Sequence, residues 1–104
     1  MKTTYNKLIR DKIPQKIEAA GKTSKQSTLS HEDYVKELNN KLTEESNEWF
    51  ESSDVEELAD ILEVVMALAA EKGVGFEQLV EIANSKRDKR GGFKERLFLE
   101  EVYE

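Results

Sequence analysis

Cysteine is absent from the 104 residues, which excludes disulfide staples and thiolate metal sites. Histidine is nearly absent too: His31 stands alone, so oxygen atoms are the only metal donors present in quantity. Proline occurs once, as Pro14, and nothing after it interrupts a helix for want of an N–H. No long hydrophobic run exists. The longest, Ile61 to Ala70, is interrupted by Glu63 and falls well short of the roughly 20 residues that cross a bilayer, so no membrane partner is expected. The opening Met1-Lys2-Thr3-Thr4-Tyr5-Asn6 lacks the apolar core of a secretory signal, and a cytoplasmic location is the expectation. Positive charge is in deficit: 16 Lys and Arg stand against 22 Asp and Glu, for a net charge of −6. That balance weighs against a nucleic-acid polymer as partner.

What is present fits one domain over residues 1–104, because a second core cannot be filled at this length. Apolar residues make up 38% and charged residues 37%. The chain is too rich in Leu, Ile and Val for disorder, yet polar for a self-sufficient small globule. Few helices cannot cover all of Tyr34, Trp49, Phe50, Val65, Met66 and Phe76, so a homodimer or higher homo-oligomer is expected.

The pattern is helical throughout, and the expected fold class is all-α, a helical bundle with irregular or β-like ends. Tyr5 to Lys12 reads as extended or irregular. A short helix is predicted over Ile13–Gly21, with Pro14 in its first turn and Gly21 past its last. Lys22 to Leu29 reads as a loop. Ser30-His31-Glu32-Asp33 resembles a capping box, followed by helical spacing through Tyr34, Leu38, Leu42 and Trp49 to an end near Phe50 or Glu51. Ser53-Asp54-Val55-Glu56 reads as a second box, opening a helix through Leu58, Ile61, Leu62, Val65, Met66 and Ala69 that stops at Gly73. Phe76, Leu79, Val80 and Ala83 carry a third long helix, ended by Gly91-Gly92. For Phe93 to Tyr103 a short strand and a docked tail both fit.

At 100° per residue, Tyr34, Leu38, Leu42, Glu45 and Trp49 share one stripe. Glu45 therefore occupies a position where an apolar residue belongs, and Glu48 projects from the same side one turn on. The next helix repeats the arrangement, since Glu57 and Asp60 begin a stripe continued by Ile61, Val64 and Leu68. Four carboxylates brought together repel one another unless a cation joins them. An all-oxygen set favours Mg²⁺, or Mn²⁺, over zinc. Spacing alone leaves a solvated acidic face as the other reading.

Lys86 and Arg90 share a face near the end of the third long helix, with Arg87 and Lys89 alongside. Cations there complement the helix dipole without further explanation, or they reach phosphates held at the acids. Lys7, Arg10 and Lys12 form a second basic group with the same two readings.

These strings carry a resemblance. Glu44-Glu45-x-x-Glu48 followed by Glu57-x-x-Asp60 resembles the signature of the MazG-like all-α nucleoside triphosphate pyrophosphohydrolases. The opening Tyr5-Asn6-Lys7-Leu8-Ile9-Arg10-Asp11-Lys12-Ile13-Pro14 is similar to that of a small branch described as phosphoribosyl-ATP pyrophosphohydrolase-like. Asn84-x-Lys86-x-x-x-Arg90-Gly91-Gly92-Phe93 resembles the basic string after the family's third helix. The resemblance implies that Glu45, Glu48, Glu57 and Asp60 are catalytic residues and Mg²⁺ ligands, and that Lys86, Arg90 and Asn84 bind a nucleotide substrate. It implies cleavage between the α and β phosphorus atoms, giving a monophosphate and pyrophosphate, with nucleotide-pool house-cleaning ahead of phosphoribosyl-ATP hydrolysis in histidine biosynthesis. A non-catalytic helical interaction protein is the alternative of another class.

Overall fold

In the computed structural model, which describes residues 1–104, the regular elements are four α-helices: α1 (Ile13–Ala19), α2 (His31–Ser52), α3 (Val55–Glu71) and α4 (Phe76–Arg90). The chain is all-α, as its periodicity predicts. Pro14 lies in the first turn of α1, where an amide hydrogen has no intrahelical use. The Oγ of Ser30 accepts a hydrogen bond from the Asp33 N–H at 3.2 Å, as the first capping box requires.

The second box is displaced by one residue. Asp54, and not Ser53, caps α3, its Oδ1 accepting from the Glu56 N–H at 3.0 Å. Ser53 instead closes α2 in the left-handed conformation, φ 54°, and its N–H donates to the Trp49 carbonyl. The cause is the shortness of the joint. Only Ser53 and Asp54 separate the two helices, so the chain reverses by taking one residue through positive φ. The first α2–α3 residue is thus spent on the turn, and the second is left to cap.

α2 and α3 pack as a hairpin, and α4 touches α3 without reaching α2. The predicted stripes face the seam: Leu38 and Val64 are buried, and Tyr34, Leu42, Trp49, Ile61 and Leu68 are half-buried. Only one further residue of the chain is buried, and it is Glu45. Along α4, Leu79 in the first turn is the one side chain that is even half-covered.

A single chain is therefore open. Its extents are 64 × 32 × 24 Å and its radius of gyration is 18.5 Å, against about 13 Å for a compact domain of this length. It exposes 9840 Å², where a folded monomer of its mass exposes about 6,000 Å². Phe50 and Val55 at the hairpin joint are about three-quarters exposed. Phe93 to Tyr103 forms no strand and docks on nothing within the chain, every residue being exposed. Both expectations for that segment are corrected, for a physical reason: a helical hairpin offers no sheet edge to pair with, and α4 carries the segment away from the seam.

Because Ser53 holds a positive φ with its side chain free of hydrogen bonds, Ser53→Gly removes left-handed strain. The variant is expected to gain up to about 1 kcal/mol, read as a raised urea midpoint with an unchanged slope. A lowered midpoint contradicts this account of the joint.

Candidate functional site

The hairpin brings the two predicted acid pairs together. One carboxylate oxygen from each of Glu45, Glu57 and Asp60 lies within 4.8 Å of the others, and the same holds for Glu44, Glu45 and Glu48. Glu45 belongs to both groups and links them. Its location follows from helix geometry: seven residues beyond Leu38 on α2, it points into the same seam. Glu57 and Asp60 point back from the first turns of α3, because the two-residue joint places the start of α3 beside the end of α2.

Charge at the site is incompletely balanced. Lys41 Nζ lies 3.4 Å from Glu44 Oε2 and 3.6 Å from Glu45 Oε1. Lys7 Nζ lies 3.6 Å from Glu44 Oε1, and Arg10 Nη2 donates to Asp60 Oδ1 at 2.6 Å. Three cations thus stand among five acids, leaving a surplus equal to the charge of one divalent cation. Two buried oxygens, Glu45 Oε2 and Glu57 Oε2, have no hydrogen-bond partner. Orphaned buried carboxylate oxygens are costly, and these two belong to carboxylates that α2 and α3 bring within 4.8 Å of one another.

The strain appears in the acidities. Burial is the main cause raising the Glu45 carboxyl above its ordinary value, followed by the nearness of the Glu48 carboxyl, which favours a hydrogen-bonded protonated form, and by the negative charges of Glu48 and Asp60, with Lys41 opposing. Glu57 is raised by the covering of its carboxylate, then by Glu48 in the same two ways, and by Asp60 and Asp54. Glu48 thus lies between the two raised groups. In the free protein these acids resist carrying their full charge together.

A divalent cation fits this donor set. All donors are oxygen, which suits Mg²⁺ or Mn²⁺. The donor oxygens of Glu45, Glu57 and Asp60 lie within 4.8 Å of one another, so side-chain rotation is what must draw them onto one ion at about 2.1 Å.

The predicted basic residues divide. Lys86 and Arg90 lie exposed on α4 and form no ion pair with the acids, and Asn84 Oδ1 accepts from Arg87 within α4 at 3.1 Å. One chain does not bring them to the carboxylates. The cations it does bring are Lys7, Arg10 and Lys41. Lys41 was legible in its spacing, three and four residues before Glu44 and Glu45. For Lys7 and Arg10 the sequence shows only a basic group in an irregular segment, and no periodicity aims it. His31, the lone imidazole, is remote in function from the acids: its Nδ1 pairs with Glu71 Oε2 at 3.2 Å across the start of α2 and the end of α3. Set against family models, curated proteins and solved structures, the chain matches none of them.

A carboxyl whose acidity is weakened by folding binds its proton more tightly in the folded chain than in the unfolded one. Stability therefore falls as pH rises from about 4.5, the ordinary glutamate value, through the raised folded values. With divalent ions chelated, the thermal midpoint is expected to drop over this range, and to drop several degrees less in Glu45→Gln. Equal slopes in the two proteins contradict the assignment of the strain to Glu45.

Proposed function

We propose that this chain is a Mg²⁺-dependent nucleoside triphosphate pyrophosphohydrolase of the MazG-like kind, acting in nucleotide-pool house-cleaning. The observation that carries the reading is the pair of orphaned buried oxygens, Glu45 Oε2 and Glu57 Oε2, on two helices whose carboxylates lie within 4.8 Å of one another. A merely solvated acidic face leaves its carboxylates hydrated. Here one of only three buried residues is an acid, and a surplus of negative charge surrounds it.

In this reading Glu45, Glu48, Glu57 and Asp60 hold the cation, and Mn²⁺ suits the same donors. A bound divalent cation supplies neutralisation of the phosphate oxygens and of the departing pyrophosphate. Lys41 stays with Glu44 and Glu45 and limits the repulsion between them. Water adds at the α phosphorus, the bond from that phosphorus to the bridging oxygen breaks, and the monophosphate and pyrophosphate leave.

Self-assembly belongs to the same proposal. The surface beyond that of an ordinary monomer is about 3,800 Å² per chain. That exceeds the roughly 1,000–2,500 Å² each partner covers in a large obligate interface. A second copy of the chain, as a homodimer or a larger homo-oligomer, supplies such cover. It also offers Lys86, Arg90 and Asn84 a way to meet phosphates that α4 of the same chain does not provide.

Glu48→Gln and Asp60→Asn are each expected to lower Mg²⁺-dependent pyrophosphate release by about a hundredfold or more with the helical circular dichroism unchanged. The assay runs across a nucleotide panel that includes phosphoribosyl-ATP. Release from phosphoribosyl-ATP alone reassigns the substrate, and near-normal turnover in either variant removes the site. Sedimentation of the intact chain is expected to give at least twice 12.0 kDa; a strict monomer at micromolar concentration overturns the assembly.

A further inference from the structure

Residues 1–12 contain no helix or strand, yet part of this segment is seated: Leu8 and Ile9 are half-buried where their neighbours on both sides are exposed. The two basic side chains flanking this anchor reach different helices. Lys7 meets Glu44 on α2, and Arg10 meets Asp60 on α3. At 2.6 Å the Arg10 contact is the shortest between cation and acid in the site, within the range of charge-assisted bonds.

We propose that Arg10 is a substrate-phosphate-binding residue held in reserve on Asp60 and turned toward the phosphates when a divalent cation takes that carboxylate. The inference rests on the metal reading above and deepens it. The cluster has a second observation besides its acidity: Glu45 is 8% exposed, its carboxylate lies within 4.8 Å of those of Glu57 and Asp60, and its Oε2 has no partner.

Arg10 and a metal ion compete for one carboxylate. A guanidinium stays charged at every working pH, carries no acceptor and cannot leave its tether. Once displaced from Asp60 it needs another anion within a side-chain length. Its side chain is 55% exposed and that of Asp60 41%, so Arg10 moves outward without unpacking anything. Outward is also where a phosphate joined to the cation presents its free oxygens, and a planar fork matches two of them. Charge points the same way. A cation that takes over the neutralisation of Asp60 leaves the Arg10 charge without its acid, and an arriving triphosphate brings negative charge for it to meet. Lys7 is less suited to this part, since its partner Glu44 lies outside the group of Glu45, Glu57 and Asp60.

The test uses the full chain and the variants Arg10→Gln and Arg10→Lys, with circular dichroism confirming equal helicity. Manganese is titrated into nucleotide-free protein and followed by electron paramagnetic resonance. Arg10→Gln is expected to bind Mn²⁺ several-fold more tightly than the parent, because no cation has to be displaced. The Mn²⁺-loaded variant is then expected to bind an α,β-imido nucleoside triphosphate about tenfold more weakly. Arg10→Lys keeps the charge without the fork, so it restores parental Mn²⁺ affinity but only part of the nucleotide affinity. A parent chain that takes up no Mn²⁺ overturns the metal reading and this proposal together. A parent that binds Mn²⁺, with Arg10→Gln unchanged in either titration, overturns this proposal alone.

Discussion

Repulsion among carboxylates is the constraint around which the molecule is arranged. A hairpin with very little interior gives one of its three buried positions to Glu45, on the stripe that Leu38 and Leu42 define. Placing an acid there forfeits apolar burial and adds desolvation. Glu48, Glu57 and Asp60 increase the penalty rather than relieve it. The surroundings answer with cations of two origins: Lys41 from the same helix, and Lys7 and Arg10 from an irregular segment far away in sequence. The segment that carries Lys7 and Arg10 holds no helix or strand, and its charges tie α2 to α3.

The second organising fact is how little of the apolar surface one chain covers. α2 and α3 shield each other along a single seam, and the opposite faces, most of α4 and the segment after Gly92 remain in solvent. The helices are well formed locally because caps and spacing specify them. Tertiary cover is what the isolated chain lacks, and local signals do not supply it. Propensity and cover are separable in this protein, which is why short-range features hold while the molecule stays elongated.

Much of this was legible in the residues. Helical spacing gave the elements within a residue or two. The stripe through Leu38 and Glu45, and the one through Asp60 and Val64, are the faces that meet in the seam. The acid pairs were readable because the helical period maps separation in sequence directly onto direction in space. The cap of α3 was misplaced by one residue because Ser53 and Asp54 are both good caps, and only the geometry of the reversal decides between them. The end of the chain was unreadable for a deeper reason: alternation of apolar residues describes a strand only if an edge exists to receive it. Arg10 was legible only as one of a basic group with two readings, because nothing periodic connects it to Asp60, fifty positions away.

The two-residue joint between α2 and α3 also sets the rotational phase of one helix against the other. Each residue of a helix advances the face by 100°, so one residue deleted from Ser53-Asp54 would swing Glu57 and Asp60 out of the seam and bring Leu58 and Leu62 toward it. The spacing that forms the helices would be untouched, while the acids would be turned away from one another. The length of this turn thus governs where the acids stand more than whether the helices form, unlike an ordinary surface loop.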